Sequence, residues 1–262
     1  MAERSDEHTS RQDGIPAATV VIFRRAPSGG PPQILMQVRS RSLAFAGGMA
    51  VFPGGRVDPS DRELAARLDW PNPDEMAHRI AAIRETLEET GLALGLRGHI
   101  DAASAAEARA MLLQEEALAP VLERFGWRIA LHDLIPFARW FPKNEKLSRV
   151  FDTRFYLADL GTGAVDIAVD AGENTRLFWT SASGAIEAAQ RGEIDLIFPT
   201  LRNLERLAQF DSFDAARTHA EETPLPTIVP FIEDRPEGRS LCIPPDCGYP
   251  VTSVPLDAVK RG

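Results

Sequence analysis

The residues best equipped for chemistry are Glu85, Glu88 and Glu89, in the run Arg84-Glu85-Thr86-Leu87-Glu88-Glu89-Thr90-Gly91-Leu92. On a helix, spacings of i, i+3 and i+4 place all three on one face. Like charges so placed destabilise a helix by about 0.2–0.5 kcal/mol per pair. Acids near the helix C-terminus also oppose the dipole. A charge run of this kind is ordinarily a solvated face. A hard divalent cation with oxygen ligands would offset the repulsion, and Mg²⁺ or Mn²⁺ are the natural choices. Arg84, four residues before Glu88, can orient one carboxylate while the others bind metal.

The helix that presents these acids opens at Asn72-Pro73-Asp74-Glu75, with Asn72 as cap and proline in the first turn. It is predicted to run to Thr90 and to stop at Gly91. Met76, Ile80, Ile83 and Leu87 form its buried stripe. At about 100° per residue, Glu85 lies about 170° from that stripe. Upstream, residues 17–25 and 34–40 read as strands of a hairpin, and Pro53-Gly54-Gly55 as a tight turn. Ser60 and Glu63 suggest a capping box for a short helix over 60–68. Residues 102–125 look helical with an interruption at Pro120. Strands are expected near 134–141, 150–160 and 177–179, and amphipathic helices near 183–192 and 201–210. After Thr223 the chain is rich in proline and is expected to wrap the core with few regular elements.

The run from Arg84 to Leu92, preceded by a P-G-G turn, resembles the signature of the Nudix hydrolases, G-x5-E-x7-R-E-U-x-E-E-x-G-U with U aliphatic. Gly55 would open the box and Arg84 to Leu92 would close it. The spacing between them is about fifteen residues longer than the signature. Asp61 falls at the box's first glutamate counting from Gly55, and Met76 counting back from Arg84. Thr86 stands at an aliphatic position. An interrupted box is similar to that of the branch related to the peroxisomal coenzyme A diphosphatase of animals. Ala50-Val51-Phe52-Pro53-Gly54-Gly55-Arg56-Val57-Asp58 and then Ala82-Ile83-Arg84-Glu85 fit that pattern. Leu35, Arg39, Ser40 and Gly48 fit its upstream coenzyme A motif, in which Ala44 replaces a second arginine. Trp140-Phe141-Pro142, residues 149–155 and, more loosely, Phe198-Pro199-Thr200 extend the likeness.

The resemblance implies an α/β class protein with the Nudix fold, a mixed β-sheet in an α/β/α sandwich, here with helical insertions and an irregular C-terminal extension. It implies a divalent-metal-dependent diphosphatase acting on a nucleoside diphosphate linked to another moiety, with coenzyme A or acyl-coenzyme A in view. ADP-ribose or a dinucleotide is the alternative substrate, and a non-catalytic nucleotide-binding module the alternative class. Carried over, Glu85, Glu88 and Glu89 are metal ligands for Mg²⁺ or Mn²⁺, and Arg84 orients them. Gly54 and Gly55 allow backbone to approach metal and phosphates. Glu85 or a later acid, Glu173 first, would be the general base. Arg39, Lys143 and Lys146 could meet substrate phosphates.

The remaining features bound this reading. The 262 residues carry a formal charge of -9, which argues against a nucleic-acid partner. No apolar run reaches membrane-spanning length, so no membrane partner is expected. Residues 1–15 are expected to be a disordered tail, and 16–262 a single domain with insertions near 59–72 and 101–126. The charged N-terminus lacks a signal core, and Cys242 and Cys247 read as reduced thiols, so a cytoplasmic protein is expected. A homodimer remains open, because many proteins of this kind dimerise.

Overall fold

The computed structural model describes residues 14–40, 46–143, 150–161 and 174–259. Strand β1 (Ile15–Arg24) is its central element. Its run of β-branched and aromatic residues is buried on both faces, as a sheet covered on both sides requires. It pairs in parallel with β8 (Phe151–Asp159) along nearly its whole length, from Ile15 opposite Phe151 to Phe23 opposite Asp159. On its other edge it divides its pairing. Near its end Phe23 and Arg24 pair with β2 (Gln33–Arg39), and near its start Ala17 to Thr19 pair with β4 (Gly54–Arg56). The sheet also holds β3 (Ala50–Val51), β7 (Ile135–Trp140), β9 (Asn174–Thr180) and β10 (Thr227–Ile228), so eight strands of mixed direction form it. Apart from it, β5 (Leu96–Arg97) and β6 (Arg128–Ile129) pair antiparallel with each other.

Helices cover both faces. On one face Ala18, Val20, Ile22, Leu35, Tyr156 and Ala158 pack against α1 (Pro59–Arg67), α2 (Pro73–Thr90), α3 (Ala102–Glu115) and α4 (Leu118–Phe125). On the other, Val21, Phe23, Ile34, Met36, Phe137 and Leu157 pack against α5 (Ala182–Gln190), α6 (Phe198–Leu207) and α7 (Phe213–Glu222). This is the expected α/β/α arrangement. The acid-bearing helix α2 starts on the Asn72 cap, whose Oδ1 accepts from Glu75 N, and ends on Gly91 at φ +76°. Its stripe of Met76, Ile80, Ile83 and Leu87 lies in the core.

Three expectations change. The short helix starts one residue earlier, at Pro59, and its reach-back bond runs from Asp58 N to Asp61 Oδ2 rather than between Ser60 and Glu63. Pro at the first helical position sets the start there. The stretch over 102–125 breaks at Glu116 and Ala117, not at Pro120. Glu116 takes the left-handed conformation at φ +51°, while Pro120 falls in the first turn of α4, where no intrahelical N–H is needed. The C-terminal extension is more regular than expected. Strands β11 (Phe231–Arg235), β12 (Gly238–Cys242) and β13 (Ser253–Pro255) form a second antiparallel sheet. A short 3₁₀ turn over Leu256–Ala258 follows it, and Cys242, at the end of β12, and Cys247 are free and buried. Tyr249 ties this extension to the main sheet by accepting from Trp140 Nε1 at 3.0 Å and donating to Asn203 Oδ1 at 2.6 Å.

Candidate active site

The glycines that open β4 and helix α2 meet beside β1. Gly54 sits at φ +149°, and a Cβ there would lie 2.3 Å from the Ala18 carbonyl oxygen. A Cβ on Gly55 would lie 2.3 Å from Glu85 Oε1. Only glycines let this backbone lie between β1 and the α2 carboxylates. The face of α2 opposite its apolar stripe is therefore covered by the turn, and it is not a solvated acidic face. Glu89 is buried, and its Oε2 accepts from Gly54 N at 2.7 Å and from Gln37 Nε2 at 2.8 Å.

Arg84 is the hub. It is only 3% exposed. Its Nε and Nη2 donate to the two carboxylate oxygens of Asp61 at 3.0 and 2.9 Å, a bidentate pair. Its Nη1 donates to both Glu85 Oε1 and Glu88 Oε2 at 3.0 Å, and Nη2 also reaches the Arg56 carbonyl at 2.9 Å. Asp58 Oδ2 stands 3.2 Å from the same Nη2. Burial alone would lower the Arg84 pKa, but the bond to Asp61 and the charges of Glu85, Asp61 and Glu88 raise it well above its ordinary value. The guanidinium is permanently charged.

Burial pushes Glu85 up to about 7; Arg84 opposes this, and the charges of Asp58 and Asp61 add to it. Burial likewise raises Glu88 to about 7, against Arg84 and with help from the Glu85 charge. The excess negative charge is therefore only partly answered by Arg84. Such acids bind protons more tightly in the folded chain than in the unfolded one, where their ordinary value is 4.5. Their contribution to stability must fall as pH rises from about 4.5 to about 7, because the native state holds the extra protons there. In a chelator, the melting temperature of the wild type relative to an E85Q/E88Q variant should decline across that window and level off above it. A flat difference between pH 4.5 and 7 would contradict the crowding.

These groups line one cavity of about 650 Å³. Its acidic wall comprises Asp58, Glu85, Glu88 and Glu89. Arg39, Trp140, Phe155 and the start of α6, at Ile197, Pro199 and Thr200, also line the cavity. Of the residues expected from sequence, Gly54, Gly55, Arg84, Glu85, Glu88, Glu89 and Arg39 come together here. The Arg39 Nε is buried without a hydrogen-bond partner among the described residues. Lys143 is exposed, with its Nζ 5.1 Å from the Phe141 ring centroid, and does not line the cavity. Lys146 and Glu173 lie outside the described residues. The donor set suits a hard divalent ion in kind, since carboxylate oxygens predominate and two of the acids are crowded into high pKa values. Among the described residues, however, no three acidic, histidine or cysteine side chains stand together as a ready-made metal cage. Arg84 Nη1 instead lies between Glu85 and Glu88.

Sequence reasoning missed two members. Asp61 competes with Met76 for the first acid position of the signature, and residues 59–72 are expected only as an insertion. Asp61, Leu64 and Ala65 of α1 are in fact buried, and Asp61 clasps Arg84. Gln37 was read only as part of an apolar strand. Its signal was a lone amide inside Ile-Leu-Met-Gln-Val.

A glycine turn on a mixed sheet, laid against an Arg-Glu-x-x-Glu-Glu helix, defines the class of protein. A model of the NUDIX domain matches residues 15–146, half of the chain, and the protein belongs to that family. It is 28% identical over 250 residues to the acyl-coenzyme A diphosphatase NUDT19 of Gallus gallus, covering 73% of this chain and 66% of that one. The chain spans 58% to 66% of the length of the curated relatives it matches. A crystal structure of a NUDIX hydrolase from Alicyclobacillus acidocaldarius superposes with a TM-score of 0.69 at 28% identity, over 80% of this chain and 97% of that one. Among the described residues, no helix is long and apolar enough to cross a membrane.

Proposed function

We propose that the protein is a Mg²⁺- or Mn²⁺-dependent hydrolase of the diphosphate bond in a nucleoside diphosphate linked to another moiety, with coenzyme A or acyl-coenzyme A as its substrate class. The observation that carries the proposal is the shared cavity of the glycine turn and the three α2 glutamates. The likeness to a protein named for acyl-coenzyme A hydrolysis supports the choice of substrate. A bound divalent ion would neutralise the diphosphate and activate an attacking water.

The chain's own residues divide the remaining work. Glu89, fixed by Gly54 and Gln37, offers a buried carboxylate at one point of the cavity wall. Asp61 and Arg84 hold Glu85 and Glu88 in place. Glu85, on the cavity wall beside Arg84, is the first candidate to take a proton from the attacking water. Glu173 is the alternative base. Gly54 and Gly55 let a phosphate approach the backbone. Arg39, whose Nε is buried in the cavity wall with no hydrogen-bond partner among the described residues, would take a phosphate oxygen, and Lys143 and Lys146 are proposed to meet further substrate charge. The free thiols of Cys242 and Cys247 accord with a cytoplasmic enzyme.

The test is a panel of coenzyme A, acetyl- and longer acyl-coenzyme A, ADP-ribose and diadenosine polyphosphate, with Mg²⁺, Mn²⁺ or chelator, read by mass spectrometry. Adenosine 3′,5′-bisphosphate and a phosphopantetheine should form, and only with metal. Preferential cleavage of ADP-ribose would move the protein to the alternative substrate class. No cleavage of any compound would make it a binding module.

A further inference from the structure

Gln37 is fully buried, at 0% exposure, in the middle of β2. A neutral amide there needs an explanation, since a buried polar group left without its partners destabilises the fold. Gln37 shares a face with Leu35, the face that packs against α2. Its Nε2 donates to Glu89 Oε2 at 2.8 Å, across 52 residues of sequence. Its Oε1 has no hydrogen-bond partner among the described residues. The orientation is fixed by chemistry, because the carboxylate accepts and so requires the NH₂ group to face it. Leucine or methionine would fill the same strand position with no orphaned atom. The amide thus serves Glu89 more than it serves the core.

We infer that Gln37 is a positioning residue: with Gly54 N it clamps one oxygen of Glu89 and so fixes how that carboxylate faces the cavity. The inference rests on the proposed metal-dependent reading of the site. Two N–H donors on Oε2 stop rotation of the carboxylate about its last bond. Residues that orient metal ligands in this way typically alter metal affinity or activity by about 10–100-fold when replaced.

The experiment is a Mn²⁺ titration of the full chain by calorimetry, after removal of metal with chelator, for the wild type, Gln37→Met and Gln37→Leu. Thermal melts are run on the same samples. Met keeps the shape and removes both the donor and the orphaned acceptor. Mn²⁺ affinity is expected to fall about 10-fold, with the metal-free melting temperature kept within a few degrees. A variant that melts like the wild type and binds Mn²⁺ equally well overturns the positioning role while leaving the metal site standing. Collapse of the melting transition in both variants overturns it too, since Gln37 would then be a structural residue. A wild-type chain that binds no Mn²⁺ overturns the metal-dependent reading, and the role of Gln37 falls with it.

Discussion

Replacing Glu89 by glutamine should leave a folded protein whose metal-dependent hydrolysis falls by about 10³-fold or more. The swap preserves shape, and the glutamine carbonyl can still accept from Gly54 N and Gln37 Nε2. What is lost is the charge, which a hard cation requires of its ligand. Charge stabilisation by a bound metal is worth several kcal/mol at the transition state, and each 1.36 kcal/mol is tenfold in rate, so a loss of about three decades follows. Turnover is measured at saturating Mg²⁺ on the best substrate of the panel, beside a melt in chelator. Near-normal turnover would remove Glu89 from the ligand set. A large drop in melting temperature would instead make it a structural acid held by the Gly54 turn.

Local patterns in this protein were legible where one element alone determines the outcome. Helix α2 could be read almost to the residue. Asn72 and Gly91 punctuate it chemically, and its stripe repeats at helical spacing. The glycine turn was legible for a similar reason, since positive φ and close approach leave few alternatives to glycine. The helix break near 116 was not. Proline is a weak marker when it falls in a first turn, and the residue that turns the chain is a glutamate held at positive φ. The extension after Thr223 was read from its prolines, yet its strands are short enough to fit between them.

The parts of the site that depend on pairing across the chain were hidden. Glu85, Glu88 and Glu89 share one helix, so their proximity follows from spacing. Gln37 reaches Glu89 only because β2 turns its Leu35 face toward α2, which is a consequence of sheet order and register. Asp61 was obscured by the residues inserted between the two halves of the signature. Its identity is settled by α1, which packs along α2 and delivers the acid to Arg84. Angular spacing placed the acids on the face of α2 opposite its stripe, but could not say what covers that face. An amphipathic pattern says which face is apolar, but a charged face can be buried as well when a turn and a guanidinium cover it.

Asp61→Ala is expected to destabilise the protein by about 3 kcal/mol, which for a chain of this size lowers the melting temperature by roughly 6–12 °C. Both Asp61 oxygens bind Arg84, and Oδ2 also accepts from Asp58 N at 2.9 Å. The side chain of Asp61 is fully buried, so no water stands ready to replace it. Removing it strands part of a buried guanidinium, for which the usual cost is about 3–5 kcal/mol. The lower end applies because Glu85, Glu88 and Asp58 still face Arg84. Freed from Asp61, Arg84 should shift toward Glu85 and Glu88 and compete more strongly for their charge, so Mn²⁺ should bind more weakly as well. Glu63→Ala is the control. Glu63 lies exposed on the same short helix and should change stability by no more than about 0.5 kcal/mol. The pair separates the two acids that could have anchored α1: a cap between Ser60 and Glu63 would make Glu63 the costlier loss, while the observed bonds make it Asp61. Equal melting temperatures for the two variants would mean that Arg84 is held by the remaining acids alone, and that α1 could be shortened without harm to the site.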